Sequence, residues 1–240
     1  MTRIFEALEQ ARANHGDRPN VVDFPEAASS TYSPTLIAKL RGLYRLINKE
    51  CAGTDGKLVQ FIAPRQGTGT TRISRALAAI CTYELGKRVL IIDADITAPH
   101  FSHYGIEPQH TWADTLRRKE SLENACYEVG QTGIHIMQAF RKSQTSATVL
   151  ESADFASRLL ELRGSFDLIL IDSAAAADSP DGIDISTVVD GTVLVIGAEK
   201  TRWQVAQDVR NRIEERGGYL IGVLLNEVRF HIPAPIYDRL

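Results

Sequence analysis

Cysteine is scarce in this chain: Cys51, Cys81 and Cys126 are odd in number, far apart and free of any C-x-x-C spacing. That argues against a disulfide framework or a cysteine zinc site and makes reduced thiols and a cytoplasmic setting the expectation. Long apolar runs are missing too, every one being short and interrupted, and Met1–Ala7 carries Glu6 and no apolar signal core. No direct membrane span is expected; contact with an inner membrane would be peripheral and made through a partner. Charge of one sign is equally lacking. Lysine plus arginine number 27 against 30 acids, a net charge of −3, which speaks against nucleic acid as a partner. Neither an internal repeat nor a low-complexity segment is present. What remains is ordinary globular composition, 240 residues of which 44% are hydrophobic and 24% charged, enough for one substantial core.

The stretch that organises the rest is Leu58 to Ile73, an apolar strand running into a glycine loop and then an amphipathic helix. This is the layout of a phosphate-binding loop. Gly67 and Gly69 let backbone N–H groups close around an anion at a helix N-terminus. The Walker A pattern places a lysine after the second glycine to reach the β and γ phosphates, then a hydroxyl residue for magnesium. The hydroxyl is kept as Thr71, but the lysine position holds Thr70. One phosphate contact of the pattern is therefore missing, and the loop reads as inherited and disarmed.

Around that loop the chain divides into three parts. Ile4, Phe5, Leu8 and Ala11 share one face of an expected amphipathic helix over residues 1–13, a surface for this protein's own body or for a partner. Residues 14–33 mix Gly16, Pro19, Pro25 and serines without periodicity and read as a linker. Residues 34–240 form the main α/β domain. Ser33-Pro34 is a helix start, followed by Leu36, Ile37, Leu40, Leu43, Tyr44 and Ile47 at helical spacing. Six apolar runs follow, at 58–63, 88–92, 133–138, 167–171, 191–197 and 219–225, with helices expected at 71–85, 152–163 and 202–216. Val89–Ile92 and Leu168–Ile171 are apolar on both faces, as strands covered from above and below must be. The fold class is thus α/β, a doubly wound and mostly parallel sheet of the P-loop type, with an N-terminal helical arm.

Two strands end in acid. Asp93 and Asp95 follow one, Asp172 the other, at the carboxyl edge where an open α/β sheet binds its ligand. Carboxylates there hold a magnesium-bound water or orient a nucleophile, and Asp172 stands in the slot of a Walker B acid. Each alone is equally well a loop acid or helix cap. Together with the glycine loop, in this order, they point to a nucleotide-binding fold.

These motifs, with Phe166–Asp172, Val223–Asn226, Arg3–Leu8 and the ending Ile232 to Leu240, resemble the bacterial tyrosine kinases of capsule and exopolysaccharide synthesis. That family is a deviant-Walker branch shared with the Min and Par ATPases. The resemblance implies ATP and magnesium as cofactors and a membrane polysaccharide copolymerase (chain-length determinant) as partner, with a homo-oligomer as a further candidate assembly. It implies Thr71, Asp93 and Asp172 as magnesium ligands, and Asp93, Asp95 and Asp172 as the catalytic acids. Gly67, Thr68, Gly69, Thr70 and Thr71 would be the phosphate loop and Asn226 the asparagine near the adenine. Asp181 matches a further family aspartate or caps the helix near 182–189. Departures from the family cluster at the chemistry. Thr70 replaces the lysine; Gln66 and Thr68 stand for proline and glutamate. Thr97 and Ala98 replace arginines before Pro99, and Ala174 and Ala175 replace prolines. The subunit-contact motif E-x-x-R-x-x-R becomes Thr35, Ala38 and Arg41, and Tyr237 is alone in the last ten residues.

A charge-assisted hydrogen bond is worth about 1.5–3 kcal/mol, and a threonine hydroxyl supplies no charge. Arg65 and Arg72 flank the loop; either guanidinium could reach a phosphate, or both are solvated charges. Three readings follow. The first is a catalytically degenerate, kinase-like partner of the copolymerase. The second is an active tyrosine autokinase or ATPase with its charge supplied by Arg65, Arg72 or a neighbouring subunit. The third, a Par-like positioning ATPase, lacks the two loop lysines of that class. His100, His103 and His110 read as loop histidines, Trp112 and Trp203 as core or subunit-contact residues, and Arg117–Glu120 as a solvated helix end.

Overall fold

A computed structural model describes residues 32–95, 100–140 and 153–228 of the chain. The arm over 1–13, most of the 14–33 linker, Thr97, Ala98, Pro99 and the ending with Tyr237 lie outside the described residues.

The apolar runs form strands, the central ones buried on both faces between helices and the edge strand at 220–226 left partly exposed at Val223 and Leu225. They are β1 (Lys57–Ile62), β2 (Val89–Ala94), β4 (Ile134–Gln138), β5 (Leu168–Ser173), β6 (Gly191–Gly197) and β7 (Leu220–Asn226). All six pair in parallel, in the order β4-β2-β5-β1-β6-β7. A seventh strand, β3 (Cys126–Glu128), pairs antiparallel with β4 at one edge. It was not expected, because three half-buried residues carry no apolar run.

Helices cover both faces. Ser33 caps α1 (Pro34–Glu50), its hydroxyl accepting from the Leu36 N–H at 3.3 Å, with proline opening the first turn. Ile37, Leu40 and Ile47 of α1 and Ile73, Leu77 and Ile80 of α2 (Thr70–Tyr83) pack on Val59, Phe61, Ile91 and Leu170. A four-residue turn, α3 (His100–His103), and α4 (Trp112–Arg118) follow β2. On the other face Trp112 meets Phe155 of α5 (Ala153–Leu162) with ring centroids 5.1 Å apart, over Leu58, Leu90 and Ile169. Trp112 is fully buried, as expected; Trp203, at the start of α7 (Trp203–Glu215), is 65% exposed and does not belong to the core. Arg117 and Arg118 do end a helix, Arg117 reaching back to Asp114 at 2.7 Å. Arg41 of the altered subunit-contact motif pairs with Glu84 of its own chain at 2.7 Å.

The sheet order decides where the chemistry sits. Because β1, β2 and β5 are neighbours with parallel register, the ends of all three emerge on one edge. Asp93 lies directly beside Asp172, and Asp172 beside Phe61, one residue before the end of β1.

Candidate functional site

The loop between β1 and α2 takes the shape its glycines dictate. Gly67 and Gly69 have φ of 77° and 86°, the left-handed region that residues with a Cβ avoid. Gly69 occupies the N-cap of α2 without a side chain to cap it, so the first-turn N–H groups face outward as an anion site. The loop is held from across the sheet: Asn226, at the end of β7, donates its side-chain N–H to the Thr68 carbonyl at 2.7 Å. Asn226 thus acts on the loop's backbone. Thr70 does not imitate a lysine, since its hydroxyl lies 3.2 Å from that of Thr68 and both residues are buried.

The loop forms one wall of a cavity of about 660 Å³. Arg65, Gly67, Thr68, Gly69, Thr70, Thr71 and Arg72 all line it, so the structure brings the loop residues expected from sequence to one place. Asp95, Ser173, His103 and an unexpected Arg75 line it too. Arg72 and Arg75 are three residues apart and so share one side of α2. Ser173 is held by Gln60, a buried amide that donates to the Ser173 hydroxyl at 2.8 Å and accepts from the Thr192 hydroxyl at 3.0 Å. Asp181 is the first residue of α6 (Asp181–Ile185) rather than its cap, which is Pro180.

The acids are engaged by the protein itself. Asp93 is 2% exposed and Asp172 fully buried. Asp93 accepts the backbone N–H of Asp95 at 3.3 Å on one oxygen and that of His100 at 2.6 Å on the other. Asp172 Oδ2 lies 2.8 Å from His100 Nε2, both side chains being buried. Arg75 Nε, in turn, donates to His100 Nδ1 at 3.2 Å. Since Nδ1 accepts from a guanidinium, the imidazole proton belongs on Nε2, where it points to Asp172. His100 is therefore not a loop histidine. It is the centre of a chain Arg75–His100–Asp172 that ties the cavity wall to the buried acid at the end of β5.

Burial pushes the Asp93 carboxyl up to about 7, against the opposing pull of His100, with the adjacent Asp172 adding to the rise. A carboxyl whose folded value lies above its unfolded value near 4 stabilises the fold at low pH and loses that contribution as pH rises through 7. The Asp93-linked part of the unfolding free energy should fall between about pH 4 and pH 7, by no more than about 1.4 kcal/mol per pH unit, and level off above. Comparing melts of the natural chain and Asp93→Asn across that range checks it: the difference should depend on pH in that sense, and a constant offset would contradict it.

Do these residues fit the family's ligands? For phosphate they do: a glycine loop, an uncapped helix N-terminus and three cavity-lining arginines. For magnesium they do not. Neither Asp93 nor Asp172 is among the described residues that line the cavity; both are buried and hydrogen-bonded within the chain, and Asp172 Oδ1 has no hydrogen-bond partner among the described residues. Thr71 is at the cavity, but its two expected co-ligands are bound to His100 and the chain around it.

Residues 57–213 match the family model of the cellulose biosynthesis protein BcsQ. The chain belongs to this BcsQ-like family of bacterial tyrosine kinase-type P-loop proteins. Among its relatives are the tyrosine-protein kinase ptk of Acinetobacter johnsonii, 25% identical over 86% of this chain and 28% of that protein. The putative tyrosine-protein kinase CapB of Staphylococcus aureus is 25% identical over 81% of this chain and 85% of that one. The succinoglycan biosynthesis transport protein ExoP of Rhizobium meliloti is 25% identical over 86% of this chain and 26% of that protein. The chain thus spans about a quarter of ptk and ExoP and most of CapB. Its fold is that of the kinase domain of the Escherichia coli tyrosine kinase ETK, with a TM-score of 0.76, 20% identity and coverage of 98% and 90% of the two chains. The MinD protein of Pyrococcus horikoshii, complexed with Mg-ADP, shares it at a TM-score of 0.60, 22% identity and coverage of 77% and 76%. Among the described residues no helix is long and apolar enough to cross a membrane.

His100 and Arg75 were not legible as site residues. A histidine grouped with His103 and His110 after Asp95 gives no signal of a partner 72 positions away. Arg75 carried one: its spacing of three from Arg72 on the helix that opens at the loop.

Proposed function

We propose that this chain is a catalytically reduced member of its family, a cytosolic regulatory or scaffold component working beside a membrane polysaccharide copolymerase in exopolysaccharide or capsule synthesis. The observation that carries this reading is the His100–Asp172 pair at 2.8 Å. An imidazole sits on the acid that phosphoryl transfer needs for its metal. The loop has also exchanged its lysine for Thr70, whose hydroxyl is engaged inside the loop. Stabilising the charge of the transferring phosphoryl group is most of what such a site contributes, and two of its sources are changed together.

The pathway assignment draws on the relatives. CapB, ptk and ExoP are named for tyrosine kinase activity or for succinoglycan transport. In ExoP the matching stretch is part of a much longer transport protein, which favours a copolymerase as the surface this chain meets. The competing reading, an active ATP-dependent autokinase, is favoured by the three arginines of the cavity. The two separate on one experiment. The purified protein, incubated with magnesium and ATP, should carry no phosphotyrosine by mass spectrometry and turn ATP over at background. Phosphotyrosine that disappears in Asp172→Asn would overturn the reading.

A further inference from the structure

Loss of a cation site does not by itself empty a phosphate site. Among the described residues the cavity wall holds three guanidinium groups, Arg65, Arg72 and Arg75, against one carboxylate, Asp95. Its volume of about 660 Å³ lies within the ~300–1,000 Å³ of small-molecule sites. Thr71 and the first turn of α2 close its end with backbone donors. In a P-loop site that works with magnesium, the ion neutralises part of the phosphate charge and is anchored by the acids at the strand ends. Here Asp93 and Asp172 are buried behind the cavity and do not line it, whereas the guanidinium groups do.

We propose that this cavity binds a diphosphate-bearing anion, of the nucleoside diphosphate class, without a divalent cation, and that Arg75 is its specificity-determining contact. The inference rests on the reading above that the phosphate loop is kept while phosphoryl transfer is lost. Arg75 is singled out by position. It lines the cavity, its Nε donates to His100 Nδ1 at 3.2 Å, and its guanidinium stands 6.0 Å from the centroid of the Tyr104 ring. A guanidinium carries five N–H donors in a planar fork suited to two phosphate oxygens at once. Through Arg75, an anion in the cavity is joined by one side chain to the buried His100–Asp172 pair. Arg65 and Arg72 are exposed at the mouth, where solvent screens their attraction. Asp95, on the same wall, repels a dianion, which makes a cation-free ligand dependent on the arginines.

The test is calorimetric titration of the full chain with ADP and with inorganic pyrophosphate at fixed salt, once in EDTA and once in excess magnesium. Affinity should agree within about threefold between the two conditions. Arg75→Gln should weaken binding about ten- to a hundred-fold, the usual effect of losing a charge-assisted hydrogen bond. Arg75→Lys should recover part of it, since charge returns without the fork. Thermal melts of both variants establish that they are folded. ADP tighter than pyrophosphate identifies a nucleoside ligand, and equal affinities identify the diphosphate alone; either supports the inference. Binding weakened more than about tenfold by EDTA, binding of neither anion, or an Arg75→Gln variant that binds normally would overturn it. Failure here is distinct from failure of the functional reading. Magnesium-dependent ADP binding in a protein without ATP turnover sinks this inference alone, whereas turnover with phosphotyrosine sinks the other.

Discussion

His100→Ala should lower the unfolding free energy by about 3 kcal/mol, the upper end of the cost of stripping a buried polar group of its hydrogen-bond partner. The ring and the Asp172 carboxylate are 0% and 1% exposed and 2.8 Å apart. Among the described residues Asp172 Oδ1 already has no hydrogen-bond partner, so deleting the imidazole leaves a buried carboxylate with neither oxygen paired there, next to Asp93 across the β2–β5 register. For a chain of this size about 1 kcal/mol corresponds to 2–4 °C in the melting midpoint, so the loss is readily measured by denaturant titration or calorimetry. The double variant His100→Leu/Asp172→Leu should lose much less than the single one, because replacing both members of a buried pair by apolar groups removes the penalty with the attraction. A single variant within about 1 kcal/mol of the natural chain would mean that the pair is ordinary polar packing.

Gly69→Ala should come next in size. The residue has φ +86°, and an added Cβ would collide with the Asn226 side-chain amide. Left-handed backbone costs an L-residue about 1–2 kcal/mol. Clearing the collision requires the amide to turn away and surrender its 2.7 Å bond to the Thr68 carbonyl, about 1 kcal/mol more. The stability loss should therefore be about 2–3 kcal/mol, and ADP binding should fall more than about tenfold because the loop's N–H groups lose their shared aim. Gly67→Ala is the internal comparison. Its φ is +77° but nothing lies within 4 Å of an added Cβ, so only the backbone cost applies. Equal losses at the two positions would remove Asn226 from the account of the loop.

The parts of the fold that could be read from sequence share one physical cause. Strands such as Val89–Ile92 and Leu168–Ile171 are buried on both faces, and continuous apolar runs declare that condition without help from distant residues. Their ends came within two residues of the observed strands, and with them the placing of Asp93 and Asp172 on one edge. Cys126–Glu128 escaped because an edge strand, half-exposed and antiparallel, needs no apolar pattern. Of the two readings open for Trp203, core or subunit contact, the structure removes the first by leaving the ring on the surface. At the site, the glycines and Thr70 were legible because loop chemistry is local. What Asn226 and His100 do was not, since their partners Thr68 and Asp172 lie 158 and 72 positions away. A side chain's role in a network of that kind is set by topology, which the residue's own neighbours in sequence do not encode.

On the proposed function, His100 holds the position on Asp172 that a divalent cation would otherwise need. The most direct test of this is a thermal melt of the natural chain and of His100→Ala across a magnesium titration at constant ionic strength. A ligand that binds the native state raises its melting temperature by mass action. The natural chain should melt at the same temperature with and without magnesium, and His100→Ala should be stabilised as the ion reaches the uncovered carboxylate. A natural chain that melts progressively higher as magnesium is added would show that the acid site accepts the ion with His100 in place, and would contradict the account.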